Sequence, residues 1–351
     1  MKNKRTIVFT GGDTGGHVVP CLPLIDRFRD LGWDVAYIGS RTGLEARLMR
    51  QKDVPFYAIQ VGKWRRYRDI RNLTDIARTT CGIFQSVFHL LRLKPSVIFA
   101  KGGFVSVPVM VAGRLLRIPV IAHEGDSSLS LTNRIALRFA RVVCCGFSVE
   151  VYKLKHPKLV WTGTPVRSEL FHGDPEKARQ FLGVSDGKPI LLVYCGSTGA
   201  RRINEVIYRA AGELAKTFNV VHLTGRGNLK EPLEGVTYQQ FEEIYEGFED
   251  LLAAADVVVS RAGATTVTEL QALRKRAVLI PLPRIASRGE QSRNARLFAE
   301  TGLGCVLEEE QLNEDSLIQA VLEIRKQPIP PQDGQPGSAL EQIEEVILRY
   351  C

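Results

Sequence analysis

The glycine-rich turns of this sequence lack the lysine of a phosphate-binding P-loop, because no lysine follows the last glycine in the required place. The first of them, GGDTGGH, also lacks the G-x-G-x-x-G spacing of a dinucleotide fingerprint. Two familiar nucleotide readings are thereby excluded. Cysteine is sparse: there are seven, no two at metal-finger spacing, with Cys144 and Cys145 adjacent and Cys351 last. Such an odd, irregular set reads as reduced thiols of a cytosolic protein, not as a disulfide framework. Long apolar runs are missing too, and MKNKR leads straight into a strand-like run instead of a secretion signal. The expectation is a protein made and kept in the cytosol, able to touch a membrane without crossing it.

What is present is a chain of 351 residues, 44% of them hydrophobic, which is ample for packed cores and fits two domains better than one. The net charge of +9 points to an anionic partner: nucleic acid, a phosphorylated metabolite or an acidic membrane surface. Charge alone does not choose among these.

Short β-branched runs alternate with amphipathic segments of helical length. TIVFT, DVAYIG, SVIFA, PVIAH and RVVCC read as strands of the first half; PILLVYCG, FNVVHLTG, GVTYQQF, DVVVSR and AVLIPLP read as strands of the second. Each is followed by a candidate helix, the signature of an α/β protein with parallel sheets and crossovers. The pattern restarts after LVWTGTPVRSEL, so the expected domains are 1–163 and 164–330. A final segment, 331–351, consists of a Pro/Gly-rich linker and a helix that packs back on the domains.

Both halves open alike. VFTGGDTGGH and LVYCGSTGARRIN each run from strand through a glycine turn and a small hydroxyl residue into a helix. Such a turn lets backbone N–H groups approach an anion, and the helix N-terminus adds partial positive charge. Two nucleotide-type βα units follow, with a cleft expected between them at the strand ends.

In order along the chain, GGDTGGHVVP, GGFVSVPVMVAGRLLRIPVIAHEGD, LTNRIAL, TGTPVRSEL, GSTGARRIN, ADVVVSRAGATTVTEL and SRGEQSRNA are similar to motifs of one family. The sequence resembles the MurG family, the undecaprenyl-diphospho-muramoylpentapeptide N-acetylglucosaminyltransferases of glycosyltransferase family 28, over roughly residues 6–310. The resemblance implies a GT-B fold of two Rossmann-like domains facing across a cleft. It places the acceptor on the first half and the UDP-sugar mostly on the second.

The residues can be read beside that resemblance. Gly263, Ala264, Thr265 and Thr266 form a turn and first helical turn that offer amides and hydroxyls to a diphosphate. Glu269, one turn further, suits a pair of ribose hydroxyls, the use the family makes of it. The resemblance adds Arg167 as charge partner of the diphosphate, Ser197 as a phosphate contact, and Glu290, Gln291 and Asn294 toward the donor sugar. It also assigns Thr14, Gly15, Gly16, His17 and Asp126 to UDP-N-acetylglucosamine, and Gly11, Gly12, Gly102, Gly103 and Phe104 to the acceptor. Three positions depart from the family pattern. Glu290 replaces a glutamine, Asp126 in HEGD replaces an amide, and Phe104 replaces a tyrosine, which changes the hydrogen bonds each can make.

For the chemistry, His17 is the leading base candidate, ahead of Glu124 and Asp126; its other reading is a histidine that orients the loop or the acceptor. No D-x-D pair occurs, and helix dipoles with arginine can stabilise a leaving diphosphate, so no cofactor and no tightly held metal are expected. KWRRYRDIRNLTDIARTTCGIFQSVFHLLRLK, residues 63–94, is either a connector with a core helix or a basic-rimmed apolar patch. The second reading seats a peripheral enzyme on the anionic cytoplasmic face of the membrane, where its lipid-linked acceptor, lipid I, resides. The expected reaction is inverting transfer of N-acetylglucosamine from UDP-N-acetylglucosamine to a C4 hydroxyl, with domain closure aligning the two. A UDP-sugar epimerase, a transferase with another polyprenyl-linked acceptor and a silent UDP-sugar-binding protein are the alternatives. Nucleic acid is not an expected partner, because the basic residues are scattered and no recognition module accompanies them.

Overall fold

A computed structural model describes residues 5–12, 14–62, 71–196, 198–283, 289–331 and 338–351, the side chains of 71–73 excepted. The chain divides into two compact units, Met1–Pro165 with Gln335–Cys351, and Val166–Gly334.

Seven parallel strands build the first unit: β1 Thr6–Thr10, β2 Asp34–Ser40, β3 Phe56–Ile59, β4 Val97–Ala100, β5 Val120–Glu124, β6 Val142–Cys145 and β7 Leu159–Trp161. Their order is β3-β2-β1-β4-β5-β6-β7. Helices cover both faces, so the central strands are buried from both sides and read as continuous apolar runs. Phe9, Phe28, Phe99 and Tyr37 fill one face, and Ile38, Ile98 and Met110 the other.

The second unit repeats the plan with six parallel strands, β8 Ile190–Tyr194, β9 Asn219–Leu223, β10 Tyr238–Phe241, β11 Ala255–Ser260, β12 Arg276–Leu279 and β13 Gly304–Val306. Their order is β10-β9-β8-β11-β12-β13. In each sheet the strand order reverses once, between β1 and β4 and between β8 and β11. The loops leaving those neighbouring strands diverge to opposite faces, and the crevice they leave at the carboxyl ends is where such sheets take ligands. The paired registers Thr10↔Ala100 and Ser260↔Tyr194 bring the glycine turns to these two points.

Three strands were not expected from the sequence: β3, β7 and β13. All lie at sheet edges, are three or four residues long and are only partly buried, so none carries a continuous apolar run. The segment after the first glycine turn is also more broken than a single helix. It runs as Gly15–Val18, Val19–Cys21 and Leu22–Asp30, because Pro20 and Pro23 each remove a backbone donor.

The last helix, Ala339–Arg349, belongs to the first unit. Ser338 caps it by accepting from Glu341 N at 3.2 Å, and Ile343, Val346 and Ile347 join the cluster around Phe9 and Leu24. Arg27 clamps it from outside through Glu344 at 2.7 Å. All three tryptophans of the chain, Trp33, Trp64 and Trp161, fall in the first unit, so their emission reports its unfolding alone. Ile347→Ala is expected to cost that unit about 2–5 kcal/mol, seen as an earlier tryptophan transition in a urea titration of the full chain.

Candidate functional site

At the first switch point the two glycine turns meet through bare backbone. Tyr37 Oη donates to Gly11 O at 2.9 Å, and a Cβ on Gly12 would sit 2.6 Å from Glu45 Oε1. Gly103 has φ +76°, and a Cβ there would overlap Gly12 O, so both conformation and contact demand glycine. His17 leans on this joint. Its Nδ1 is 3.0 Å from Gly12 O and 3.0 Å from Thr14 Oγ1. A carbonyl only accepts, so Nδ1 carries a proton and donates it to Gly12 O. The Nε2 edge of the ring lies over Gly102, where a Cβ would be 3.7 Å from Nε2. Thr14 and Gly16 are exposed, Gly15 is half-buried, and Phe104 leads into the helix Ser106–Leu115.

The carboxyl end of β5 supplies HEGD, and its members divide in role. His123 is buried and donates from Nε2 to Gly163 O at 2.8 Å; burial holds its basicity well below the usual histidine range, so it stays neutral. Glu124 accepts from Asp126 N at 3.1 Å, Ser130 N at 2.7 Å and Asn133 Nδ2 at 2.9 Å. Its carboxylate therefore holds the loop after β5 in shape. Asp126 is half-buried, and its carbonyl accepts from Tyr152 Oη at 2.9 Å. Lys101, directly before Gly102, is also buried here and was not singled out in the sequence; a lysine ending a buried strand beside a glycine pair was the available signal.

The second switch point holds a half-open cavity of about 320 Å³. Gly196 and Gly199 line it after β8, Arg261, Gly263 and Thr266 after β11, and Leu282 and Gln291 complete it. Ser197 lies outside the described residues. Gly263 caps the helix Ala264–Ala272 in extended conformation with no side-chain cap, and the first helical bond is Val267 N to Gly263 O at 2.9 Å. The amides of Ala264, Thr265 and Thr266 therefore have no place in the helical ladder, the arrangement with which helix N-termini attract anions. A Cβ on Gly263 would meet nothing within 4 Å, so this glycine is not required by the protein's own packing.

Glu269 and Arg167 are found together, and neither lines the cavity. Arg167 Nε donates to Glu269 Oε1 at 3.2 Å while its guanidinium lies 5.9 Å from the Phe248 ring centre. Burial raises Glu269 above the ordinary carboxylate value, and Arg167 opposes the rise. Beside them the buried Tyr194 Oη has no hydrogen-bond partner. Gln291 Oε1 accepts from Leu282 N at 3.1 Å, and the buried Asn294 donates to Ala262 O at 3.2 Å, so both fasten the loops that shape the cavity. Glu290 begins their helix, Glu290–Glu300. Arg261, which the sequence reading passed over, donates to the carbonyls of Ile280 and Pro281 at 3.2 and 3.1 Å and pairs with Glu309. Among the described residues no group of three or more His, Cys, Asp or Glu is arranged to hold a metal ion.

With this geometry established, comparison with known proteins is informative. Residues 7–145 match the glycosyltransferase family 28 N-terminal domain and residues 190–348 its C-terminal domain. The UDP-N-acetylglucosamine–N-acetylmuramyl-(pentapeptide) pyrophosphoryl-undecaprenol N-acetylglucosamine transferase of Clostridium perfringens is 42% identical over 92% of this chain and 91% of its own length. A second transferase of that name from Bacillus anthracis is 44% identical over 91% of each chain. Among solved structures, Acinetobacter baumannii MurG superposes with a TM-score of 0.71 at 24% identity, covering 98% of this chain and 99% of that one. The two parallel sheets and this likeness make the fold GT-B. Two switch points with glycine turns, matched along nearly the whole chain by both domains of one family, lead to a single conclusion: the chain belongs to glycosyltransferase family 28.

Proposed function

We propose that this chain is an inverting transferase that moves N-acetylglucosamine from UDP-N-acetylglucosamine to the C4 hydroxyl of undecaprenyl-diphospho-muramoylpentapeptide, converting lipid I to lipid II in peptidoglycan synthesis. The duplicated switch point carries this reading, because both substrates are diphosphates and each unit presents backbone amides where one diphosphate can sit. The names of the relatives, at 42–44% identity, support it.

The second unit takes the donor. Its diphosphate meets the amides of Ala264, Thr265 and Thr266, and the ribose hydroxyls take Glu269. That exchange releases Arg167 from its ion pair to meet the diphosphate. Gln291 stands on the sugar side of the cavity, and Asn294, on the same helix begun by Glu290, braces it through Ala262 O. The first unit takes the acceptor over Gly11, Gly12, Gly102 and Gly103, with Phe104 beside them. His17, held through Nδ1 on Gly12 O, removes the C4 hydroxyl proton with Nε2. The oxygen attacks the anomeric carbon opposite UDP, the bond to UDP breaks as the new β1,4 bond forms, and the leaving charge falls on amides and Arg167. Asp126 is the second base candidate; Glu124 positions it. No metal enters this scheme.

A lipid-linked acceptor also requires a membrane-facing surface. The first part of the predicted patch, residues 63–70, lies outside the described residues. On the helix Arg71–Leu93, Phe84 is 72% exposed and Phe88 and Leu91 are each 56% exposed, at spacings of four and three that put them on one face. Arg92 lies 5.5 Å over the Phe88 ring; the exposed Arg114 and Leu115 end the packed neighbouring helix, and the exposed Arg117 lies just past it. No described helix is long and apolar enough to cross a bilayer. The exposed apolar face and its arginines support an enzyme held peripherally on anionic lipid of the cytoplasmic leaflet, where each basic side chain contributes about 1 kcal/mol.

With UDP-N-acetylglucosamine and a short-chain lipid I analogue, the protein should release UDP only when both are present, and EDTA should leave the rate unchanged. His17→Ala should lower kcat by about 10²–10⁴-fold. Absence of turnover beside an active control, or UDP release from the donor alone, removes the assignment. Gly263→Val should leave the unfolding midpoint near wild type yet weaken UDP binding more than tenfold by titration calorimetry; equal binding would move the donor elsewhere. In flotation with phosphatidylglycerol vesicles, Phe84→Ser/Phe88→Ser should lose most lipid-bound protein while retaining kcat on the water-soluble acceptor.

A further inference from the structure

Lys101 is a buried cation that has no partner of its own among the described residues. It follows β4 immediately, its amide donates to Thr10 O at 2.8 Å, and its Cβ lies 3.2 Å from where a Cβ on Gly11 would stand. The residue is 2% exposed, and among the described residues it makes no ion pair and no side-chain hydrogen bond. Among the described residues, the titratable groups whose fields reach it are Glu124, Cys21 and Asp126. Glu124 is already committed to Asp126 N, Ser130 N and Asn133 Nδ2. On the strands either side of β4, Thr10 Oγ1 and His123 Nδ1 are buried without hydrogen-bond partners as well. Desolvation pulls the lysine below its ordinary value, the direction expected of an ammonium that the fold does not neutralise.

An ammonium held this way destabilises the free protein, because desolvation is not offset by a paired charge. Such a cost is characteristic of preorganised sites, where the compensating charge arrives with the ligand. Two anion-directed glycine turns flank Lys101, and Gly102 and Gly103 follow it directly. We propose that Lys101 is the positive charge against which the acceptor's diphosphate is seated, the Gly102–Gly103 backbone holding the same group. The assignment rests on the transferase reading above and adds to it a residue that sets acceptor affinity and leaves the donor alone.

Lys101→Met separates this role from a structural one. The variant should raise the KM for the short-chain lipid I analogue about tenfold or more, with the KM for UDP-N-acetylglucosamine within twofold of wild type. Its melting temperature without substrates should equal or exceed wild type, since an unpaired buried charge has been removed. Lys101→Arg, which keeps the charge, should recover most of the acceptor KM. An unchanged acceptor KM, an equal rise in both KM values, or a lowered melting temperature overturns the proposal. A binding arm keeps it distinct from the transferase assignment. Farnesyl diphosphate, titrated without donor, should bind Lys101→Met at least tenfold more weakly than wild type. If wild type shows no turnover but this loss appears, the transferase reading fails and Lys101 keeps its anion; turnover with no loss has the reverse meaning.

Discussion

The proposed function depends on one constraint, backbone reaching the carboxyl end of a parallel sheet at close quarters. A strand order that reverses once forces the neighbouring loops apart, and glycine at the loop tips lets one backbone pass close to the next. The contact of Gly103 with Gly12 O shows the constraint at its tightest, because a methyl group there overlaps a carbonyl and φ is positive as well. Gly199 meets the same double demand in the second unit, with φ +67° and Thr224 O where a side chain would start. Around these joints the side chains arrange themselves, and His17 is the clearest case: the carbonyl of Gly12 accepts from its Nδ1.

The two-sheet plan was legible in the sequence because its determinants are local. Buried parallel strands need uninterrupted β-branched runs, and IVF, VIF and VVVS supply them whatever surrounds them. The glycine turns were legible for a related reason, since close backbone approach permits almost no other residue. Edge strands obey neither rule. β7 is paired on one side only and exposes Val160 and Trp161, so its residues need not alternate or cluster, and nothing in LVW distinguishes it from loop.

Side-chain partnerships were the illegible part, because they join residues far apart in the chain. Arg167 and Glu269 are 102 positions apart and were expected to meet different parts of one ligand. Glu124 read as a base candidate on residue type, yet three donors from the following loop and helix turn it into a brace. Asn294, expected on the sugar, is buried and donates to the carbonyl of Ala262. In each case the chemical character was visible and its allocation was not, since allocation is decided by what else is within 3 Å.

That allocation differs between the two units in a way that bears on how each treats an anion. The second unit neutralises its own charges, with Arg167 on Glu269 and Arg261 on Glu309. On the proposed donor reading, an incoming diphosphate draws Arg167 away from a buried carboxylate, and the exchange is favourable only when the same ligand offers hydroxyls to Glu269. Selectivity for a nucleoside diphosphate over simple phosphate follows from that coupling, because a ligand without a ribose leaves Glu269 buried and unpaired. The first unit commits its carboxylate to backbone and amide donors and leaves the ammonium of Lys101 apart. With the proposed roles, an anion there breaks no pair present among the described residues and completes one, so the first unit favours negative charge itself and the second verifies what carries it.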